Sequence, residues 1–193
     1  MSNHQKPIVA VFCGSKGGEN RQFLEDAAEL GKLLANNGFE IVYGGSSLGL
    51  MGAVAKNAIN AGGRVTGVLP EVLVSREPEF KELTHFIVVQ DMHVRKKTMY
   101  EMCTAAIILP GGFGTLDELF EALTLIQTKK VRPIPVILFG KDYWNSLINF
   151  DVLVEEGVIT PCDRNLIQYT ETAEQAWHLI LESYTVKSNS HST

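Results

Sequence analysis

Short runs of apolar residues recur along the chain, each followed by a turn rich in glycine or polar residues. Three of these runs, at residues 7–13, 105–109 and 134–139, are apolar at every position, which is typical of strands inside a parallel sheet that is covered on both faces. The pattern predicts six strands, at residues 7–13, 39–43, 64–69, 85–89, 105–109 and 134–139, and a short edge strand at residues 166–169.

Between these runs, apolar residues recur at the three- and four-residue spacing of amphipathic helices. This spacing predicts helices at residues 20–37, 48–61, 92–103, 115–129, 143–156 and 172–184, and a loop or short helix that closes over a site at residues 70–83. Such alternation predicts a doubly wound α/β fold, a Rossmann-like parallel sheet of six or seven strands with helices on both faces. We expect one domain at residues 1–184 and a disordered polar tail at residues 185–193.

Three glycine-rich turns, at residues 14–18, 44–49 and 110–114, directly follow predicted strands. In a doubly wound sheet the carboxyl ends of the strands face one crevice, and ligands bind there. All three turns are therefore expected to line the same crevice.

The turn at residues 110–114 leads into a helix and is the best candidate for an anion site. Its glycines let a phosphate approach the backbone, and a helix N-terminus offers free N–H groups and partial positive charge. Thr115 is predicted as the N-cap, with Asp117 and Glu118 in the first turn of the helix. A carboxylate repels phosphate at contact distance, so Glu118 is expected to act on a neighbouring part of the ligand. An ordinary strand-to-helix turn with an acidic first turn is the alternative.

Three consecutive cations at residues 95–97 lie near the start of the helix after the fourth predicted strand. We expect Arg95 and Lys96 to face the crevice and offset a phosphate, which arginine can bind bidentately. Lys97 is expected on the solvated face of the helix. For His93, a helix-start or packing role is favoured over contact with a ligand.

Charge, apolar content and cysteine usage disfavour several classes of protein. The net charge of −5 gives no general attraction to nucleic acid or anionic membranes, and no apolar run approaches the ~20 residues that span a bilayer. The amino-terminal residues lack a hydrophobic signal region, and three scattered cysteines without a CxxC pair indicate reduced thiols in a cytoplasmic protein. No metal motif and no P-loop is present, and residues 44–49 match a dinucleotide fingerprint only loosely.

Two motifs together carry a family resemblance. The sequence PGGFGTLDE at residues 110–118 and the sequence MHVRK at residues 92–96 resemble the LOG family, the cytokinin riboside 5′-monophosphate phosphoribohydrolases. The FCGS segment at residues 12–15 and the YGGSSLGLMG segment at residues 43–52 are also similar and follow in the right order. The resemblance covers residues 8 to 180 or so. Members are often mislabelled lysine decarboxylases, an activity that would need a Schiff-base lysine and a larger scaffold.

The resemblance implies hydrolysis of the N-glycosidic bond of a nucleoside 5′-monophosphate to free base and ribose 5-phosphate. It implies Arg95 and Glu118 as the catalytic pair, and no cofactor. Ser15 and Ser46 are candidates for hydrogen bonds to ribose or base, with ordinary turn serines as the alternative. The full predicted substrate-binding set is Ser15, Gly45, Ser46, Glu77, Met92, Arg95, Lys96, Gly111, Gly112, Phe113, Gly114, Thr115, Leu116, Asp117 and Thr124.

The chemistry of that reaction suits a carboxylate. Cleavage builds positive, oxocarbenium-like charge on the ribose, which Glu118 would stabilise while it orients or deprotonates the attacking water. Arg95 is too basic to be a general acid and is expected to fix the substrate and Glu118. A non-catalytic nucleotide or molybdenum-cofactor carrier is the main alternative, and an NAD-type oxidoreductase is a weaker one. The resemblance implies a homodimer, and the apolar residues around the helix at 116–126 favour one as well.

Overall fold

The seven predicted strands form one parallel sheet. The structure, a computed structural model, describes residues 7–75 and 80–189, with side chains described as far as residue 184. The strands run in the order β4-β3-β2-β1-β5-β6-β7, which confirms the predicted parallel sheet and places the last strand at an edge. Their bounds are β1 Ile8–Phe12, β2 Glu40–Tyr43, β3 Val65–Pro70, β4 His85–Val89, β5 Ala105–Ile108, β6 Val136–Phe139 and β7 Ile167–Thr170.

Helices cover both faces of the sheet, as predicted. Alternate residues of β1 point to opposite sides: Val9 and Val11 belong to one buried cluster, and Ala10 and Phe12 to the other. The helices are α1 Gln22–Asn36, α2 Gly49–Asn60, α3 Glu71–Val74, α4 Met92–Met102, α5 Phe113–Gln127, α6 Lys141–Leu147, α7 Asp151–Glu155, α8 Pro161–Arg164 and α9 Ala173–Asn189. Helices α1, α2 and α9 pack on the first face, whereas α4, α5 and α6 pack on the second.

The strand order reverses at β1, which pairs with β2 on one side and with β5 on the other. Connections from these two strands leave in opposite directions, so a crevice opens between their carboxyl ends. The turns after β1 and β5 are the glycine-rich turns at residues 14–18 and 110–114. The topology therefore places the candidate anion site at the switch point of the sheet.

Several predicted boundaries were wrong. Helix α5 begins at Phe113 with Gly112 as its N-cap, so Thr115 is not the cap, and Asp117 and Glu118 lie beyond the first turn. The helix predicted at residues 143–156 is two helices, because Ile148 is extended and the residue after it bonds the start of α7 through its side chain. Helix α9 extends to Asn189, beyond the end predicted for the last helix. The predicted disordered tail stays a prediction, and residues 190–193 lie outside the described residues. Within the residues that the structure describes, no helix is both long and apolar enough to cross a membrane.

Candidate active site

The turns at the strand ends are locked together through their backbones. The Gly14 amide donates a hydrogen bond of 3.1 Å to the Pro110 carbonyl, and the Gly14 carbonyl accepts one of 3.2 Å from Leu50 at the start of α2. Gly49 has a φ of +56° and lies so close to the 14–18 turn that a Cβ there would be 2.4 Å from the Ser15 carbonyl oxygen. The three turns therefore contact one another, and the close approach explains why glycine is needed at residue 49.

A cavity of about 500 Å³ opens above these turns. Two of the turns line it directly, through residues 13–18 and 110–115. The third turn, at residues 44–49, does not line the cavity. Its Gly44 carbonyl accepts a hydrogen bond from Arg95, and its Gly49 packs against the 14–18 turn. The remaining lining side chains are Phe23, Leu50, Met51, Arg95, Glu118 and Tyr143.

The amino terminus of α5 forms the floor of one end of this cavity. The first helical hydrogen bond runs from the Leu116 amide to the Gly112 carbonyl at 3.0 Å, and no side chain caps the helix. The preceding amides at residues 113–115 are thus available to an anion. Gly111 allows the loop to pass close over Thr115, since a Cβ at residue 111 would lie 2.1 Å from the Thr115 Oγ1.

Glu118 faces the interior because of its position on α5. The buried residues of this helix include Thr115, Glu118, Leu119 and Ala122, which recur at the three- and four-residue spacing of one helix face. Glu118 is only 4% exposed yet lines the cavity. The spacing of the GTLDE sequence therefore directs the threonine and the glutamate to the same side of the helix.

Arg95 holds Glu118 from the opposite wall. Helix α4, which Asp91 caps by accepting hydrogen bonds from two amides, places the buried guanidinium at the ends of β2 and β3. Its Nε donates to the Val68 carbonyl at 2.9 Å, its Nη2 to the Gly44 carbonyl at 3.0 Å, and its Nη1 to Glu118 Oε1 at 3.4 Å. A Cβ on Gly44 would lie 2.1 Å from Nη2, so this glycine makes room for the arginine.

Burial dominates the electrostatics of Glu118 and raises its pKa from 4.5 to about 7, although Arg95 opposes the effect. The pKa of the Cys13 thiol is also well above its ordinary value, chiefly through burial and secondarily through the charge of Glu118. A carboxylate that titrates near neutral pH in a cavity is well suited to exchange protons with a substrate or with water.

Lys96 lies outside the cavity and is paired with acidic side chains. Its Nζ contacts Asp117 Oδ2 at 2.7 Å and Glu121 Oε2 at 2.5 Å. Burial disfavours its charged form, but the hydrogen bonds and charges of these two carboxylates outweigh burial and raise the pKa of Lys96. Lys97 is exposed beside Glu101 at 3.7 Å, as predicted for the solvated face.

The predicted substrate-binding residues thus fall into two groups. Those that line the cavity are Ser15, Arg95, Gly111, Gly112, Phe113, Gly114 and Thr115, together with the predicted catalytic Glu118. Those outside the lining are Gly45, Ser46, Met92, Lys96, Leu116, Asp117 and Thr124, whose role in substrate binding stays a prediction. Glu77 lies outside the described residues.

Local contacts explain why some of these residues lie apart from the cavity. The Ser46 hydroxyl accepts a hydrogen bond from the Leu48 amide and stabilises the turn. Thr124 is exposed more than one helical turn beyond Glu118, and its hydroxyl donates to the Phe120 carbonyl at 2.7 Å. Met92 is at the first position of α4, and its side chain is 37% exposed.

Sequence reasoning missed several residues of the lining: Cys13, Lys16, Phe23 and Tyr143 among them. Lys16 could have been found from its place inside the first glycine turn. Tyr143 carries no local signal, because it reaches the site from α6, where its hydroxyl donates to the Gly111 carbonyl at 2.7 Å. Across residues 7–75 and 80–189, no three His, Cys, Asp or Glu side chains lie together as a metal site would require.

The fold and the cavity define a class: a Rossmann-like protein whose switch-point crevice combines a helix N-terminus for an anion with a buried Arg–Glu pair. Solved structures of that fold include the molybdenum cofactor carrier protein of Chlamydomonas reinhardtii, 25% identical, with a TM-score of 0.68 over 92% of this chain and 98% of that one. The molybdenum cofactor binding protein of Rippkaea orientalis is also 25% identical, with a TM-score of 0.70 over 94% and 99% of the two chains.

Sequence relatives are more similar. Residues 51–180 match the family model described as "Possible lysine decarboxylase". The cytokinin riboside 5′-monophosphate phosphoribohydrolase LOG1 of Arabidopsis thaliana is 40% identical over 169 residues, which are 86% of this chain and 79% of the relative. The probable enzyme LOGL3 of Oryza sativa subsp. japonica is 41% identical over 86% and 80% of the two chains. The chain belongs to the LOG family, as its PGGFGTLDE and MHVRK motifs predicted.

Proposed function

We propose that this protein hydrolyses the N-glycosidic bond of adenosine 5′-monophosphates, including N6-modified ones, to free base and ribose 5-phosphate. Its relatives at about 40% identity are named for that activity toward cytokinin riboside 5′-monophosphates. The observation that carries the proposal is the buried pair of Arg95 and Glu118, with the carboxylate directed into the cavity beside the anion-binding end of α5. A protein that only binds phosphate gains nothing from a carboxylate at that place.

The position of Glu118 within α5 separates its task from that of residues 110–115, which we call the phosphate loop. The amides at residues 113–115 would hold the 5′-phosphate, and Glu118 lies one helical turn further along the same buried face. One turn of helix rises about 5.4 Å, which is comparable to the distance between the phosphate and the anomeric carbon of ribose 5-phosphate. The carboxylate is therefore expected to face the sugar while the loop holds the phosphate.

Glu118 would act twice in the reaction. Its ionised form stabilises the oxocarbenium-like charge that develops as the bond from C1′ to the base nitrogen breaks, and it takes a proton from the attacking water. The water oxygen forms the new bond to C1′, and the bonding electrons leave with the base. Because the pKa of Glu118 is raised to about 7, the protonated carboxyl can return that proton near neutral pH, which leaves a free neutral base.

Arg95 would fix the carboxylate rather than move protons. Its guanidinium is held by two backbone carbonyls and by Glu118, so the carboxylate has a defined orientation before the substrate binds. An arginine stays protonated at any working pH. Its charge also keeps the buried Glu118 partly ionised, since it lowers the pKa that burial raises.

The protein is expected to act in the cytoplasm as a homodimer, on a small molecule and not on nucleic acid or a membrane. Three cysteines with free thiols suit a reducing compartment, and the net charge of −5 disfavours polyanions. Phe120 of α5 is 42% exposed, so this helix has apolar surface that a partner could cover. A monomeric mass in solution at micromolar concentration would contradict the dimer.

The test of the function measures free base and ribose 5-phosphate after incubation with AMP and with isopentenyladenosine 5′-monophosphate. The proposal predicts the two products in equal amounts from at least one nucleotide. Binding of both nucleotides without release of base would instead identify a carrier or sensor, the alternative that the molybdenum cofactor carrier fold keeps open.

A further inference from the structure

The cavity contains few charged side chains. Among the described residues that line it, only Lys16, Arg95 and Glu118 are lysine, arginine, aspartate or glutamate. Arg95 and Glu118 face each other at 3.4 Å and offset each other's charge. From the sequence, Arg95 and Lys96 are expected to offset a phosphate. In the structure both are paired with acidic side chains.

Arg95 has little capacity left for a second anion. Its Nε and Nη2 donate to the Val68 and Gly44 carbonyls, its Nη1 faces Glu118, and its side chain is only 6% exposed. A phosphate that took the guanidinium would separate it from Glu118 and leave that carboxylate buried without its partner.

Lys96 is also held in ion pairs and is not free to bind a phosphate. It is buried against Asp117 and Glu121 outside the cavity lining. Two carboxylates around one ammonium give that cluster a net negative charge, which repels a phosphate. The cations of α4 therefore hold acidic side chains in place, and the charge for an anionic ligand has to come from elsewhere.

Lys16 differs from Arg95 and Lys96 in both exposure and pairing. It is exposed at the cavity, and no ion pair joins it to another side chain of the described residues. Its backbone is fixed, because Gly49 packs closely on it: a Cβ at residue 49 would lie 2.6 Å from the Lys16 amide nitrogen. The same turn is bonded to the phosphate loop through the 3.1 Å hydrogen bond from Gly14 to the Pro110 carbonyl.

We propose that Lys16 is the cation that binds the phosphate of the substrate, together with the amino terminus of α5. This inference rests on the proposed function, because it assumes a phosphate monoester in the cavity. Such a group carries a charge of about −1.5 to −2 at neutral pH. The helix terminus supplies roughly half a positive charge, so one lysine brings the site close to neutrality.

The experiment compares Lys16→Ala and Lys16→Arg with wild type in three measurements: KM for AMP, kcat, and the dissociation constant of ribose 5-phosphate. Lys97→Ala is the matched control, since Lys97 is 73% exposed on α4 and pairs with Glu101. Removal of Lys16 should raise KM and the ribose 5-phosphate dissociation constant about tenfold, with kcat within about twofold. Arginine should restore most of the binding, added salt should reduce the difference, and Lys97→Ala should resemble wild type.

The readouts separate this proposal from the function on which it rests. If wild type releases base but Lys16→Ala binds ribose 5-phosphate as tightly as wild type, the role of Lys16 is refuted and the function stands. If wild type releases no base, yet ribose 5-phosphate binds and binding weakens in Lys16→Ala, the activity is refuted and the phosphate site stands. An equal loss of binding in Lys97→Ala would also overturn the proposal, because it would indicate a general charge effect.

Discussion

Glu118→Gln should make the protein more stable above neutral pH while it removes the activity. The folded state holds Glu118 in a buried site where its pKa is about 7, against an ordinary value of 4.5. Since the pKa is raised by folding, the folded state binds more protons than the unfolded chain between these two values. The free energy of unfolding therefore falls as the pH rises from about 4.5 through about 7.

The difference between these pKa values sets the size of the effect. At roughly 1.4 kcal/mol for each pKa unit, the ionised Glu118 costs about 3 kcal/mol of stability at pH 8. A glutamine has nearly the same shape and no charge, so it escapes this cost. It also keeps Arg95 between its two carbonyl partners at Val68 and Gly44.

Chemical denaturation of wild type and Glu118→Gln at pH 5 and pH 8 measures the effect. The stability of the variant minus that of wild type should increase by about 2–3 kcal/mol from the lower to the higher pH. Glu101→Gln is the control, because Glu101 is exposed and should change the stability by less than about 0.5 kcal/mol at either pH. A variant that is equally stable or less stable than wild type at pH 8 would refute the view that burial dominates this carboxyl group.

Three further substitutions test the packing of the site. Gly111→Ala should lower the thermal midpoint and abolish phosphate binding, because its Cβ would meet Thr115 at 2.1 Å, whereas Gly114→Ala places its Cβ in open space and should leave the midpoint unchanged. Gly44→Ala should lower kcat/KM at least tenfold by displacing the Arg95 guanidinium. An unchanged kcat/KM would show that catalysis does not depend on the position of this guanidinium. Tyr143→Phe removes the hydrogen bond to the Gly111 carbonyl and should raise KM about three- to tenfold with kcat little changed. A lower kcat at constant KM would contradict this role.

Much of the fold could be predicted because its signals are local. Buried parallel strands are apolar on both faces, and each predicted strand overlaps an observed one. Helix boundaries were less predictable, since they depend on contacts between distant residues. Thr115 resembles an N-cap by residue type, yet the loop from Gly111 packs onto it and the helix begins two residues earlier.

In the candidate site, too, local features could be predicted from the sequence, whereas contacts between distant residues could not. The spacing within residues 110–118 predicts an anion site and a separate task for Glu118, and the structure places residues 110–115 and Glu118 in the lining of one cavity. By contrast, sequence order alone could not assign the partners of the cations at residues 95–97, because Asp117 and Glu121 reach Lys96 from another helix. Tyr143 was missed for a similar reason: its contact with Gly111 joins residues that are 32 positions apart.

The catalytic role of Glu118 is tested most directly by the release of free adenine from AMP by wild type and by Glu118→Gln, with AMP binding measured on both proteins. Wild type should release adenine, whereas the variant should bind AMP but release at least a hundredfold less. If the variant releases adenine as fast as wild type, Glu118 is not the catalytic carboxylate, and the chemistry assigned to this cavity is wrong.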